Sequence, residues 1–291
     1  MNIVFVILNY NIYKETINCV ESITANLDTD SFHIIIVDNA SKTEAGKILA
    51  DFFQNNKNVS VIINKENVGF ARGNNIGINE AKTRFSPKFI VCINNDILFV
   101  QKDFYKQLEQ EYNNTNAAVI GPQIILKDGR IQHVNKKLPC IAVYKDRVSN
   151  LIQNKNDNSY LKEKLLQNRL LYELNFLRKK YRNERNSSFQ DVILHGCCLI
   201  FTPIFFEKLE GFDKRTFLYA EEQLLYIALR KNNLHNLYTP KLRIKHLEDL
   251  STKSITKSNK EKNEFIRKHS IDSLKILVDE LEANKTIIYG I

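Results

Sequence analysis

The feature that most constrains this chain is the alternation, through its first third, of short β-branched apolar runs with longer amphipathic stretches. Ile3–Leu8, Ile34–Val37, Val59–Ile63 and Phe89–Ile93 read as strands, with Tyr13–Asn26, Thr43–Gln54 and Arg72–Ala81 as helices between them. Near-continuous apolar strands are what a sheet covered on both faces requires, because neither side of such a strand meets water. Strand and helix in turn predict an α/β fold, a mostly parallel central sheet flanked by helices.

Further along, Ala117–Ile120 predicts a strand and Ile124–Val134 a hairpin closed at Asp128-Gly129. From about Lys136 to Asn186 the composition shifts to Lys, Arg and Asn. Leu161, Leu165, Leu170, Leu174 and Leu177 recur there at roughly helical spacing, which predicts a basic helical insert. Its Leu stripe suits packing on the body of the protein; peripheral contact with an anionic membrane is the sharper alternative. Val192–Phe201 reads as a strand and Glu221–Lys231 as a helix. Short strands follow near Leu237 and Ile244, then a Ser/Thr/Lys patch at Ser251–Ser258 and a helix from Lys260 to Ala283.

Composition narrows the function classes. Lys plus Arg (42) exceeds Asp plus Glu (33), giving +9 and favouring anionic partners. A nucleic-acid binder would interleave a basic stripe with exposed aromatics, and here Tyr and Phe are only scattered through the basic insert. Five cysteines without a C-x-x-C pair suit a reduced compartment and argue against a zinc site or a disulfide framework. Ile3–Leu8 is too short for a signal-peptide core, and no run approaches the length of a membrane span. These features predict a cytoplasmic protein, at most peripheral on the inner face of the membrane.

Four polar clusters stand directly after strand-like runs: Asn9-Tyr10, Asp38-Asn39, Asn64 to Asn75, and Asn94-Asn95-Asp96. Ligands of open α/β sheets bind beyond the carboxyl ends of the strands, so one ligand lying across the edge would meet all four. Asp38 either accepts hydrogen bonds from a nucleoside or caps the next helix. Asn67-Val68-Gly69-Phe70-Ala71-Arg72-Gly73-Asn74-Asn75 sets two glycines before a helix, where backbone amides attract phosphate and Arg72 adds charge toward a diphosphate. It is neither G-x-G-x-x-G nor a Walker loop.

Asp96, a carboxylate beside two amides, suits Mn²⁺ or Mg²⁺ held mainly by substrate phosphates, or else closes an Asx turn. Glu221-Glu222 opens a helix, where the pair either complements the dipole or supplies a general base. His246 is a candidate metal or phosphate ligand.

Together these stretches resemble the inverting glycosyltransferase family 2, which has the GT-A fold, and within it the bacterial rhamnosyltransferase-like members that build capsule or lipopolysaccharide. The residues that carry the resemblance are Val6-Ile7-Leu8-Asn9-Tyr10, Val37-Asp38-Asn39-Ala40-Ser41, Asn67-x-Gly69-Phe70-Ala71-x-Gly73-Asn74-Asn75 and Ile93-Asn94-Asn95-Asp96. His195-Gly196-Cys197-Cys198-Leu199-Ile200, Phe217-Leu218-Tyr219-Ala220-Glu221-Glu222 and His246-x-x-x-x-Ser251 follow in the family's order.

The resemblance implies one domain over residues 1–258, with a nucleotide-binding half to about residue 115, an acceptor half beyond it and the insert at about 136–186. Residues 259–291 form a helical extension. The donor would be a nucleotide-diphosphate sugar, the acceptor a glycan or lipid-linked glycan. Asn9, Tyr10, Asp38 and Asn67 would line the nucleoside pocket; Arg72, Gly73, Asn75, Asn94 and Asn95 would complete the donor site. Asp96 stands at the D-x-D motif as metal ligand, His246 lies near metal and diphosphate, and Glu222, with Glu221 beside it, matches the base. Two positions depart from the family pattern: Asn94 replaces the first acid of D-x-D, and Leu224 replaces an acid that some members carry. The rivals are a non-catalytic nucleotide-sugar-binding scaffold and a sugar-nucleotide nucleotidyltransferase.

Overall fold

The computed structural model describes residues 1–153, 186–247 and 259–290. The first half runs β1 (Ile3–Asn9), α1 (Lys14–Asn26), β2 (Phe32–Asp38), α2 (Ala45–Phe53), β3 (Val59–Ile63), α3 (Phe70–Phe85), β4 (Phe89–Asn94), β5 (Ile97–Phe99), α4 (Phe104–Thr115) and β6 (Val119–Leu126). Then come α5 (Ile141–Gln153), β7 (Phe189–Gln190), β8 (Cys198–Phe201), α6 (Pro203–Phe206), α7 (Glu221–Lys231), β9 (Asn236–His246), α8 (Asn259–Ala283) and α9 (Lys285–Tyr289). The strands form one sheet in the order β3-β2-β1-β4-β8-β6-β9-β5, with β7 beside β9. Pairings among β1 to β4 are parallel, as the alternating pattern requires. β8 enters antiparallel between β4 and β6, so the sheet is mixed.

Period-two alternation sorts the core onto two faces. Ile3, Phe5 and Ile7 pack with Cys19, Val20 and Ile23 of α1, Leu49 of α2 and Leu108 of α4. Val4 and Val6 pack on the other face with Ala71, Ile78 and Ala81 of α3, and with Phe201 and Phe205. A third cluster joins Tyr144 of α5, Leu224 and Ile227 of α7, and Leu277, Val278 and Leu281 of α8. The cysteines are unpaired, and burial raises the thiols of Cys19, Cys92, Cys197 and Cys198, as small core residues.

Three expectations change. Val192–Phe201 is not one strand: only Cys198–Phe201 joins the ladder, because the chain turns at His195-Gly196. Val192, Ile193 and Leu194 are apolar because they are buried, and Leu194 rests against Gly121 of β6. The strands near Leu237 and Ile244 are one eleven-residue strand, β9, whose pairing with β6 skips between Pro122 and Gln123. Pro122 lacks an N–H to donate there, as does Pro240 on β9. Likewise Ala117–Ile120 and the first arm of the hairpin belong to one strand, β6; the hairpin itself closes through the Ile125–Ile131 bridge. Of the basic insert, α5 is described, and the Leu161–Leu177 stripe and the Ser251–Ser258 patch lie outside the described residues. No helix among the described residues is long and apolar enough to cross a membrane.

Gly77 lets α3 lie against β1, since a Cβ there would overlap Val6 Cγ1 and press on Val37. Alanine favours an isolated helix over glycine by about 1 kcal/mol, whereas overpacking a filled core costs about 1–3 kcal/mol. The clash wins, so Gly77→Ala is expected to lower the urea-unfolding free energy by about 1 kcal/mol or more; an unchanged or raised midpoint would contradict this contact.

Candidate active site

Register places the strand ends flush. Asn9 stands opposite Asp38, and Leu8 opposite Asn94, so the clusters after β1, β2 and β4 emerge on one edge of the sheet. Most of their amides serve one another. Asn9 is fully buried; its Nδ2 donates to Asp38 Oδ2 at 2.7 Å, and its Oδ1 accepts from Thr16 Oγ1 at 2.8 Å and from Asn95 Nδ2 at 3.2 Å. Asp38 also accepts from the Ser41 amide at 3.0 Å and from the Ser41 hydroxyl, closing the turn toward α2. Tyr10 is half-buried on the loop above. Asn94 ends β4, its amide donating to Cys197 O at 3.0 Å.

The Asn67–Asn75 stretch, expected to cradle a diphosphate, is also tied to the protein by its side chains. Asn67 Oδ1 accepts from Asn39 Nδ2 at 2.8 Å and from the Gly69 amide at 3.0 Å. Asn75 donates to Phe212 O and accepts from Phe212 N, each at 2.8 Å. Arg72, exposed in the first turn of α3, donates from Nε to Lys214 O at 2.9 Å. At Gly73 a Cβ would press on Leu8 and approach Asn39. Asn9, Asn67, Gly73 and Asn75 all take part in building the rim. Local sequence shows which groups are polar, and their partners lie far away in the chain.

Asp96 behaves differently. It is 3% exposed, and among the described residues its Oδ1 has no hydrogen-bond partner. His246 Nε2 lies 3.2 Å from that oxygen without the alignment of a hydrogen bond. The pair is brought together across the chain: Ile97 of β5 pairs with His246 of β9, and the Leu247 amide donates to Asp96 O at 3.0 Å. A buried, unsatisfied carboxylate oxygen costs free energy unless something binds it. A hard oxygen beside an imidazole fits Mn²⁺ or Mg²⁺, which need only one or two protein ligands when phosphates supply the rest. No group of three or more His, Cys, Asp or Glu suited to a metal occurs among the described residues; Asp96 and His246 are a pair that could hold such an ion together with phosphates.

From His246 the contacts continue. Its ring centroid lies 6.0 Å from that of His195, and His195 Nδ1 is 3.8 Å from Glu222 Oε1. Glu222 accepts the Gly196 amide on that oxygen and leaves 28% of its side chain exposed. His195 Nδ1 accepts the Cys197 amide at 3.2 Å, which places the ring proton on Nε2. Glu221 is buried on the other side of the helix start, accepting from Thr216 Oγ1 at 3.3 Å. Leu224 faces the cluster with α8, so an acid there would be buried away from the rim. The sequence pattern assigns no role to His195 or Asn39. A His-Gly step breaking an apolar run marks the first, and Asn39 anchors the Asn64–Gly69 loop through four hydrogen bonds.

A mixed sheet with this polar rim is the GT-A class of α/β transferase. The model of Glycosyl transferase family 2 matches residues 4–201, and the chain belongs to that family of glycosyltransferases. Among solved structures, GalNAc-T7 with UDP, GalNAc and Mn²⁺ matches with a TM-score of 0.61 at 15% identity, over 97% of this chain and 48% of that one. S. aureus TarS 1–349 gives 0.53 at 14% identity over 85% of this chain and 60% of that one. Its complex with UDP-GlcNAc gives 0.53 at 14%, over 86% and 59%. At these identities the likeness is one of fold, and the chain spans about half to three-fifths of their length. No curated protein matches the sequence significantly.

Burial raises the Glu221 carboxyl from 4.5 to about 7, against hydrogen bonds from the backbone and Thr216. The folded chain therefore binds more protons than the unfolded chain between these values, and stability falls as pH rises through that window. Fully charging the group costs up to about 3 kcal/mol. Relative to Glu221→Gln, the native chain is expected to lose stability between about pH 5 and pH 8 in urea unfolding; parallel pH profiles would contradict the buried placement.

Proposed function

We propose that the chain is an inverting glycosyltransferase that moves a sugar from a nucleotide-diphosphate donor to a hydroxyl of a growing surface glycan, such as capsule, O-antigen or lipopolysaccharide. Family membership supports the reaction class. The observation that carries the site assignment is the orphaned Asp96 Oδ1 beside His246, linked through His195 to Glu222. The donor lies along the rim of β1, β2 and β4, where Asp38, Tyr10 and Asn94 face it, and Arg72 stands on its margin. The half up to about residue 115 holds the nucleotide, and the half up to residue 258 holds the acceptor. The helical extension follows from residue 259.

Asp96 and His246 would hold Mn²⁺ or Mg²⁺. When bound, such an ion neutralises charge that gathers on a departing diphosphate. Glu222 is the base: it faces the rim, partly open to solvent, with one oxygen fixed by the Gly196 amide. It takes the proton of the acceptor hydroxyl as that oxygen bonds to the anomeric carbon and the bond to diphosphate breaks. Attack from the face opposite the leaving group inverts the anomeric centre. Glu221, buried and raised toward neutrality, holds the helix start instead. The acceptor is a glycan or lipid-linked glycan, and the protein is cytoplasmic, at most peripheral on the inner face of the membrane.

In assays of donor hydrolysis and transfer with Mn²⁺, Glu222→Gln and Asp96→Ala are each expected to lose about 10²-fold or more in kcat, the range of a general base or a charge-neutralising site. Near-normal turnover in both variants would end this reading.

A further inference from the structure

Glu221 and Glu222 follow Phe217-Leu218-Tyr219-Ala220, and the last two residues of that turn are both left-handed, with φ of 77° at Tyr219 and 68° at Ala220. Neither is glycine or asparagine, so each costs free energy that the surroundings must offset. The turn is held from two sides. On the donor side the Phe70 amide donates to Phe217 O at 2.7 Å, and Gly69, at φ +85°, comes so close to that carbonyl that a Cβ would overlap it. On the opposite side stands α8. Its Ser273, 1% exposed, donates from Oγ to Leu218 O at 2.8 Å. Its His269 lies nearly parallel on Phe217, with centroids 4.3 Å apart and planes 21° apart. Glu280 of the same helix pairs with Arg215 at 3.0 Å and Lys231 at 3.3 Å, one before the turn and one at the far end of α7.

We propose that His269 and Ser273 are positioning residues: the C-terminal helix holds the left-handed turn and thereby sets the carboxylate of Glu222 for the acceptor hydroxyl. This rests on the reading of Glu222 as base. His269 contacts Phe217 and Phe265, and Ser273 contacts Leu218, away from the rim of β1, β2 and β4, to which donor binding is left. A helix outside the segment matched by the family model thus completes the catalytic half of the site.

The test uses the full chain with Mn²⁺ and a nucleotide-sugar donor, comparing His269→Ala, His269→Phe and Ser273→Ala with Glu222→Gln. His269→Ala is expected to lower kcat about tenfold or more with donor KM within about twofold, since a misplaced group costs rate rather than donor affinity. His269→Phe, which keeps a ring on Phe217, restores most of that rate. Backbone amide exchange over residues 217–222 speeds up in His269→Ala and stays native in His269→Phe. If His269→Ala does not fold, Ser273→Ala removes one hydrogen bond from an intact helix and carries the same expectations.

Wild-type kcat in His269→Ala or Ser273→Ala, or a loss that falls equally on donor KM, or no rescue by Phe, overturns the proposal. Normal turnover in Glu222→Gln together with faster exchange in His269→Ala overturns the assignment of the base while the clamp itself stands. Native exchange in His269→Ala overturns the clamp.

Discussion

Everything in this site hangs on the in-register parallel pairing of β1 with β2 and β4. The three strands are almost wholly buried, so the register is fixed by apolar side chains on both faces, and a slip of one residue would exchange those faces. With the register fixed, Asn9 and Asp38 end at one level and Asn94 stands one residue short of it, opposite Leu8. Hydrogen bonds among Asn9, Asp38, Thr16 and Asn95 then lock the rim. Asn9 and Asn95 are part of the frame that holds Asp38 and leads to Asp96.

The chemistry comes from joining that frame to strands far along the chain. β9 returns to pair with β5 and lays His246 against Asp96. β8 enters beside β4, and the turn preceding it presents Gly196 and His195 to Glu222. An unbroken set of contacts therefore runs from Asp38 to Glu222 along the sheet edge. The Asp96 oxygen, unsatisfied among the described residues, sits in the middle of it.

The α/β class, the helix Glu221–Lys231 and the polar edge were legible because strand burial and helical amphipathicity leave local periodicities. The break at His195-Gly196 was not, because Val192 to Leu194 are as apolar as strand residues although they are buried by packing on β6. The different surroundings of Glu221 and Glu222 were equally hidden. Both open a helix, and only the tertiary neighbours, Thr216 for one and Gly196 for the other, tell them apart. The grip of α8 on the turn at Phe217 pairs residues some fifty positions apart, beyond any local pattern.

On the proposed function, Asp96 and His246 form a cation site serving a nucleoside diphosphate. Thermal unfolding of the full chain with uridine diphosphate, with and without Mn²⁺, tests it most directly, because a ligand that binds the folded state raises the melting temperature. The account predicts a rise that needs Mn²⁺ and disappears in Asp96→Asn. A rise of equal size without the metal, or one that persists in Asp96→Asn, would contradict it.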